Sequence, residues 1–230
     1  MKIFHIPAVV KALIFDIDST LYTNPRYAKE QVDCQIRHYS DLHGLTHEEG
    51  RALISAYRKQ WAQLHGDSKI SLGNTLTAFG ISISQSVAWR ERLIEPANFL
   101  AEDTRLHNVL QELKQTYKLI CVTNNPVLPA RKTLNALGIS NCIEHIVGLD
   151  TCGKSKPAEE PFLLAARLCD CTPEECISIG DRYDIDLALP LQLGMGGILV
   201  NGVEDVYKMA HMRFERTTCC LGGSRSIQVS

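Results

Sequence analysis

Ala12-Leu13-Ile14-Phe15-Asp16-Ile17-Asp18-Ser19-Thr20 is the stretch that decides the fold. Four apolar residues in a row, two of them β-branched or aromatic, read as a strand buried on both faces, the pattern of a parallel sheet covered by helices. The run ends abruptly in two acids spaced i and i+2. In an extended chain such residues point the same way, so two carboxylates converge on one site. Like charges held that close call for a proton or a cation between them. Taken alone, a D-x-D at a strand end is more often a solvated turn than a site.

Working outward, four further aliphatic runs follow: Leu119–Val122, Ile143–Val147, Cys176–Ile179 and Ile198–Val200. Helical patterns separate them. Leu106, Val109, Leu110 and Leu113 recur at helical spacing before the second run; Leu134 and Leu137, closed by Gly138, follow it; Phe162, Leu163, Ala166 and Leu168 precede the fourth. Strands alternating with amphipathic helices mean βαβ units, so the expected fold class is α/β, a doubly wound parallel sheet. Between the first run and the second lie residues of another character. Val32, Ile36, Tyr39, then Leu53, Ala56, Tyr57, Trp61 and Leu64 repeat at three and four, Thr46 and Glu49 have capping-box spacing, and Gly44 suits a helix stop. The expectation is a core of residues 1–21 and 96–217, an inserted all-α cap of residues 22–95 over the carboxyl ends of the strands, and a loose tail over 218–230.

The polar residues lie where the apolar runs end. Thr123-Asn124-Asn125-Pro126 offers a hydroxyl, a backbone N–H and a helix start for an anion, or equally a plain Asn/Pro turn. Gly153-Lys154-Ser155-Lys156-Pro157 holds a lysine at a proline turn, which by itself is ordinarily a solvated loop. Gly180-Asp181-Arg182-Tyr183-Asp184-Ile185-Asp186 places three acids in a short segment, as hard-cation ligands or as surface acids at a helix start.

Together, and in this order, D-x-D-x-T, T-N, K-P and G-D-x-x-x-x-D resemble the haloacid dehalogenase superfamily of phosphohydrolases from Lys11 to about Asp205, with a C1-type helical cap. Leu149–Pro161 and Ile179–Val200 are especially similar to its small-metabolite phosphatases. The resemblance implies Asp16 as nucleophile, Asp18 as general acid and base, Thr123 with the N–H of Asn124 on the phosphoryl group, and Lys156 offsetting charge on both. It implies Mg²⁺ held by Asp16, the backbone carbonyl of Asp18 and Asp181, with Asp186 in support. Ser19 departs from the Gly or Asn common there, Lys154 competes with Lys156 for the lysine role, and Pro190 falls early in a helix expected from about Asp186. The second acid, Asp18, favours phosphoester hydrolysis over dehalogenation, because a halide needs no proton.

Leu21-Tyr22 and the Gly44–Glu49 stretch are similar to pyrimidine 5′-nucleotidase-like members, which makes a nucleoside monophosphate a candidate substrate. Tyr22, Arg26, Tyr27 and Trp61 are then candidate base contacts, although Trp61 and Tyr57 read better as core. His38, His43 and His47 read as surface or helix-end residues. A phosphoglycolate-type phosphatase or a mutase uses the same core, and a non-catalytic binder would lack acids or the lysine that are here. A formal charge of −2 disfavours a nucleic-acid polymer as partner. No apolar stretch approaches a membrane span. Nine cysteines, an odd number without a C-x-x-C pair, read as reduced thiols, with Cys219 and Cys220 the most open to reaction. The expected setting is cytoplasmic, and the expected state a monomer or homodimer acting on a small phosphorylated metabolite.

Overall fold

The computed structural model describes residues 1–66 and 70–214, and the tail expected over 218–230, with Cys219 and Cys220, lies outside them. The chain forms two compact units, Met1–Asn24 together with the chain from Leu100 onward, and Pro25–Phe99.

In the first unit the described strands form one six-stranded sheet of order β1-β6-β5-β2-β3-β4. The strands are β1 (Lys2–His5), β2 (Ala12–Phe15), β3 (Lys118–Val122), β4 (His145–Val147), β5 (Cys176–Gly180) and β6 (Gly196–Leu199). Every pairing is parallel except that of β1 with β6, which is antiparallel. The sheet is therefore mixed, and Lys2–His5 is an edge strand. Its burial alternates between exposed and half-buried, as expected at a sheet edge.

The central strands are buried on both faces. Ala12 and Ile14 of β2, with Ile120 and Val122 of β3, join Phe162, Ala165 and Ala166 in one core cluster. Leu13, Phe15, Leu119 and Cys121 point the opposite way by the alternation of a strand and are just as buried, at 0 % exposure. Full burial of a side chain such as Phe15 is worth roughly 1.5–3 kcal/mol relative to leaving it in water.

The second unit consists of α1 (Pro25–Leu42), α2 (His47–Leu64), α3 (Leu72–Ala78) and α4 (Ile83–Leu93). Gly44 takes a positive φ of 65° just after α1, and Thr46 and Glu49 form the capping box that opens α2. Ile36, Tyr39, Ile54, Leu76, Ile81 and Trp89 make its core. The buried tryptophan is thus Trp89. Trp61 is half-buried and stacks on His65, and Tyr57 is half-buried with its ring edge on Phe79, so neither is the core residue expected.

The helices of the first unit are α5 (Thr104–Lys114), α6 (Val127–Ala136), α7 (Leu149–Cys152), α8 (Glu159–Leu168), α9 (Ala188–Gln192) and α10 (Val203–Tyr207). Leu106, Val109, Leu110 and Leu113 form the buried face of α5, and Asp103 caps it by accepting from the Leu106 N–H at 2.9 Å. A π-helical turn, Tyr183–Leu187, precedes α9 and places Pro190 in that helix's first turn, where a missing N–H costs little. No helix among the described residues is long and apolar enough to cross a membrane.

Candidate active site

Strand register gathers the polar residues. β2 lies between β3 and β5, with Phe15 opposite Cys121 on one side and Ile179 on the other. Asp16 follows β2, Thr123 follows β3 and Asp181 follows β5, so all three leave the same edge of a parallel sheet. The chain runs outward through β3 and β4, then returns past β2 to β5, and such a reversal opens a crevice at the carboxyl ends. The Asp16 N–H donates to the Ile179 carbonyl at 2.8 Å, which ties the first acid to β5.

At the centre is a buried lysine. The Lys156 ammonium donates to Asp16 Oδ1 and to Asp186 Oδ1, at 2.6 Å in each case. Lys156 is 3 % exposed, Asp16 6 % and Asp186 1 %. Burial works to lower the pKa of the lysine, and the two carboxylates outweigh it, so the net shift is upward. The other candidate, Lys154, is exposed. Asp16 Oδ2 accepts from the Thr20 hydroxyl at 3.1 Å. Asp186 Oδ2 accepts from the Arg182 N–H at 3.0 Å, and the Ser178 hydroxyl donates to the Asp186 carbonyl at 2.7 Å. Gly180 makes room for this, since a Cβ there would lie 2.4 Å from the Asp186 Cβ.

Asp16, Asp181 and Asp186 each offer a carboxylate oxygen within 4.8 Å of the others. Burial, then the charges of Asp16 and Asp186, push the Asp181 carboxyl up to about 6. Burial also raises Asp186, with Asp16 adding to the shift and Lys156 opposing it. Three carboxylates against one ammonium leave a surplus of two negative charges, and a donor set made only of oxygens suits a hard divalent cation. The residues present therefore fit such an ion. Arg182 approaches Asp181 at 3.9 Å rather than pairing with Asp184.

The segment after β3 splits its side chains between two tasks. Asn124 brackets the main chain of Lys156, accepting from its N–H at 2.7 Å and donating to its carbonyl at 3.1 Å. Asn125 donates through Nδ2 to Asp18 Oδ2 at 2.8 Å, and the Tyr22 hydroxyl donates to Asp18 Oδ1. Thr123 is buried, and its hydroxyl oxygen accepts from the Asn125 N–H at 3.1 Å. The first N–H of α6, at Val127, donates to the Asp150 carboxylate at 2.9 Å, so that part of the expected anion-binding helix start already faces an acid. Asp18 is not in the carboxylate group around Asp181; its side chain serves Tyr22 and Asn125.

The sequence motifs assign no role to Thr20, Asn125 or the side chain of Asn124, and they leave Tyr22 as one of four candidate base contacts. The T-N-N run and the tyrosine four residues after Asp18 were visible, but nothing local tells which atom each meets. Tyr22 is 3 % exposed, and Tyr27 is 1 % exposed and stacked on Phe99, so neither presents an open ring face. The three histidines of the helical unit serve locally: His38 sits edge-on to Trp89, His43 faces the Tyr39 carbonyl and His47 pairs with Asp41.

Comparison with known proteins gives a matching picture. The family profile described as haloacid dehalogenase-like hydrolase matches residues 10–194. A 5-amino-6-(5-phospho-D-ribitylamino)uracil phosphatase, YigB of Escherichia coli, is 22 % identical over 214 residues, covering 85 % of each chain. A glyceraldehyde 3-phosphate phosphatase of Methanothermobacter thermautotrophicus is 27 % identical over 197 residues, covering 84 % of this chain and 86 % of its own. Among solved structures, a HAD phosphatase from Thermococcus onnurineus superposes with a TM-score of 0.57 at 18 % identity, covering 90 % of this chain and 100 % of its own.

Proposed function

The chain belongs to the haloacid dehalogenase-like hydrolase family, and we propose that it is a Mg²⁺-dependent phosphomonoesterase that transfers a phosphoryl group from a small metabolite to Asp16 and then to water. The observation that carries this reading is the buried Lys156 ammonium shared by Asp16 and Asp186, with Asp181 beside them. Phosphoryl transfer chiefly requires in-line placement and charge neutralisation. A lone buried carboxylate nucleophile would repel a phosphate dianion, and the lysine removes much of that repulsion.

In this reading Asp16 attacks phosphorus while Lys156 and Thr20 hold its carboxylate in place. The bond from phosphorus to the leaving oxygen breaks, and Asp18 gives that oxygen a proton. A water then attacks the aspartyl-phosphate, Asp18 takes the water's proton, and the bond to Asp16 breaks, regenerating the carboxylate. Thr123 and the N–H of Asn124 hold the transferring group. The Asp16 and Asp181 carboxylates and the Asp18 carbonyl would hold Mg²⁺, with Asp186 in support; bound there, the ion supplies positive charge to the phosphate oxygens.

These relatives are named for a uracil carrying a phosphorylated ribityl chain and for glyceraldehyde 3-phosphate, which favours a small phosphomonoester here too. The buried Tyr22 and Tyr27 weaken the case for stacking on a nucleobase. Phosphate release from triose, polyol, glycolate and nucleoside monophosphates, with and without Mg²⁺, tests the reading. Release should require both Mg²⁺ and Asp16, and release that survives Asp16→Asn would overturn it.

A further inference from the structure

Each oxygen of the Asp18 carboxylate has its own donor, and the two donors differ in kind. Oδ2 accepts from the Asn125 amide at 2.8 Å, and Oδ1 accepts from the Tyr22 hydroxyl. An amide nitrogen can only donate, whereas a phenolic hydroxyl donates or accepts. Each of these bonds takes one lone pair of its oxygen and leaves the other open to a proton.

We infer that Tyr22 and Asn125 are positioning residues for the acid–base step of the reaction proposed above, holding the Asp18 carboxyl group in the orientation from which it gives and recovers its proton. The inference rests on Asp18 being the acid and base of that reaction. In the first step the carboxyl O–H bond of Asp18 breaks, an O–H bond forms on the leaving group, and the electron pair of the broken P–O bond stays on the leaving oxygen. In the second step a water O–H bond breaks and the carboxyl O–H bond of Asp18 is restored.

The surroundings support a positioning role. Tyr22 is 3 % exposed, so its ring has little room to turn and its hydroxyl is held in place. It stands one turn of chain past Asp18, in a segment tied by the Leu21 N–H to the Ile17 carbonyl at 3.0 Å. Asn125 is placed from the other side by β3, its own N–H fixed on the Thr123 hydroxyl. Two clamps from separate strands fix the plane of the carboxylate, which a single hydrogen bond would leave free to rotate. Catalytic groups lose efficiency quickly when such orientation is lost.

The test is a leaving-group series. For Tyr22→Phe, Asn125→Ala and Asp18→Ala, kcat/KM would be measured on p-nitrophenyl phosphate, whose leaving oxygen needs little help from an acid, and on glycerol phosphate, whose leaving oxygen needs much. General acid catalysis is worth roughly 10²–10⁴-fold. Asp18→Ala should therefore lose most of that on glycerol phosphate and far less on p-nitrophenyl phosphate. Tyr22→Phe and Asn125→Ala should follow the same pattern at about tenfold or more on the alkyl ester, with KM changing less than kcat. Equal losses on both esters, in variants that melt like the wild type, would mean the two residues act only structurally and would overturn the inference. Selective loss in Asp18→Ala but in neither clamp variant overturns it while leaving the phosphatase reading intact. No selectivity in Asp18→Ala itself overturns both. If Tyr22→Phe does not fold, Asn125→Ala, whose side chain is only half-buried, decides the matter.

Discussion

The Lys156 ammonium and the Asp186 carboxylate lie 2.6 Å apart where the lysine side chain is 2 % exposed and that of the aspartate 1 %. Two charges so far from water are stable only because each is paired, and Asp16 shares the same ammonium. This places the anchoring of the site and the stability of the core in the same three side chains.

Breaking that pairing should therefore unfold the protein more readily as well as inactivate it. Lys156→Met leaves three carboxylates facing one another, and removing one partner of a buried pair costs about 3–5 kcal/mol. Urea unfolding should show a loss of that order. A variant as stable as the wild type would show that the lysine is not needed to hold the acids together.

Asp181 predicts how stability responds to pH and to Mg²⁺. Its folded carboxyl is raised to about 6 from an ordinary value of 3.8, so between those values the folded chain binds more protons than the unfolded one. Stability should thus fall as pH rises through this window when no divalent cation is present. Mg²⁺, by neutralising the three carboxylates, should raise the melting temperature more at pH 7 than at pH 5, and a chelator should undo it. Equal shifts at both pH values would argue against a cation at Asp181.

Asp33 predicts the opposite sign in the helical unit. Hydrogen bonds from Arg51, opposed in part by burial, and from Arg37 lower its carboxyl from 3.8 to about 2. The Arg51 pair, 2.6 Å from Asp33 Oδ1, joins α2 to α1. Its contribution is complete above pH 4 and lost as pH falls toward 2. Because Arg51 is exposed, solvent screens the pair and the effect should be small. Melting of wild type and Asp33→Asn across pH 2–5 should converge at the acid end.

Gly180→Ala tests how tightly β5 and the turn after it are packed. The added Cβ would meet the Asp186 Cβ, Cγ and Oδ2 at 2.4, 2.5 and 2.6 Å, so Asp186 must move off Lys156 or the strand must shift. Overpacking of this kind costs about 1–3 kcal/mol. Activity should fall further than stability, as read by phosphate release and urea unfolding on the same samples. Wild-type values for both would show that the contact relaxes freely.

Ser19 shows how far a local departure can be read. Its φ of 61° puts a side-chain-bearing residue in the left-handed region, at roughly 1–2 kcal/mol. The sequence already marked this position as one where Gly or Asn is common, and the turn forms with serine all the same.

The amino-acid sequence by itself determined the β2, β3 and β5 strands, the helical insertion, and the acids, threonine and lysine at the strand ends. Those features depend on period and on immediate neighbours: continuous apolar runs make buried strands, and polar residues at their ends face the crevice of a parallel sheet. Only the tertiary structure decided that Lys156, already favoured over Lys154 by the Lys-Pro register, is buried between Asp16 and Asp186, that Asn124 holds the lysine's main chain, and that Asn125 meets Asp18. It also decided that Lys2–His5 pairs antiparallel with β6. Each of these joins residues distant in the chain, and their separation is set by sheet pairing and helix packing, which local patterns do not encode.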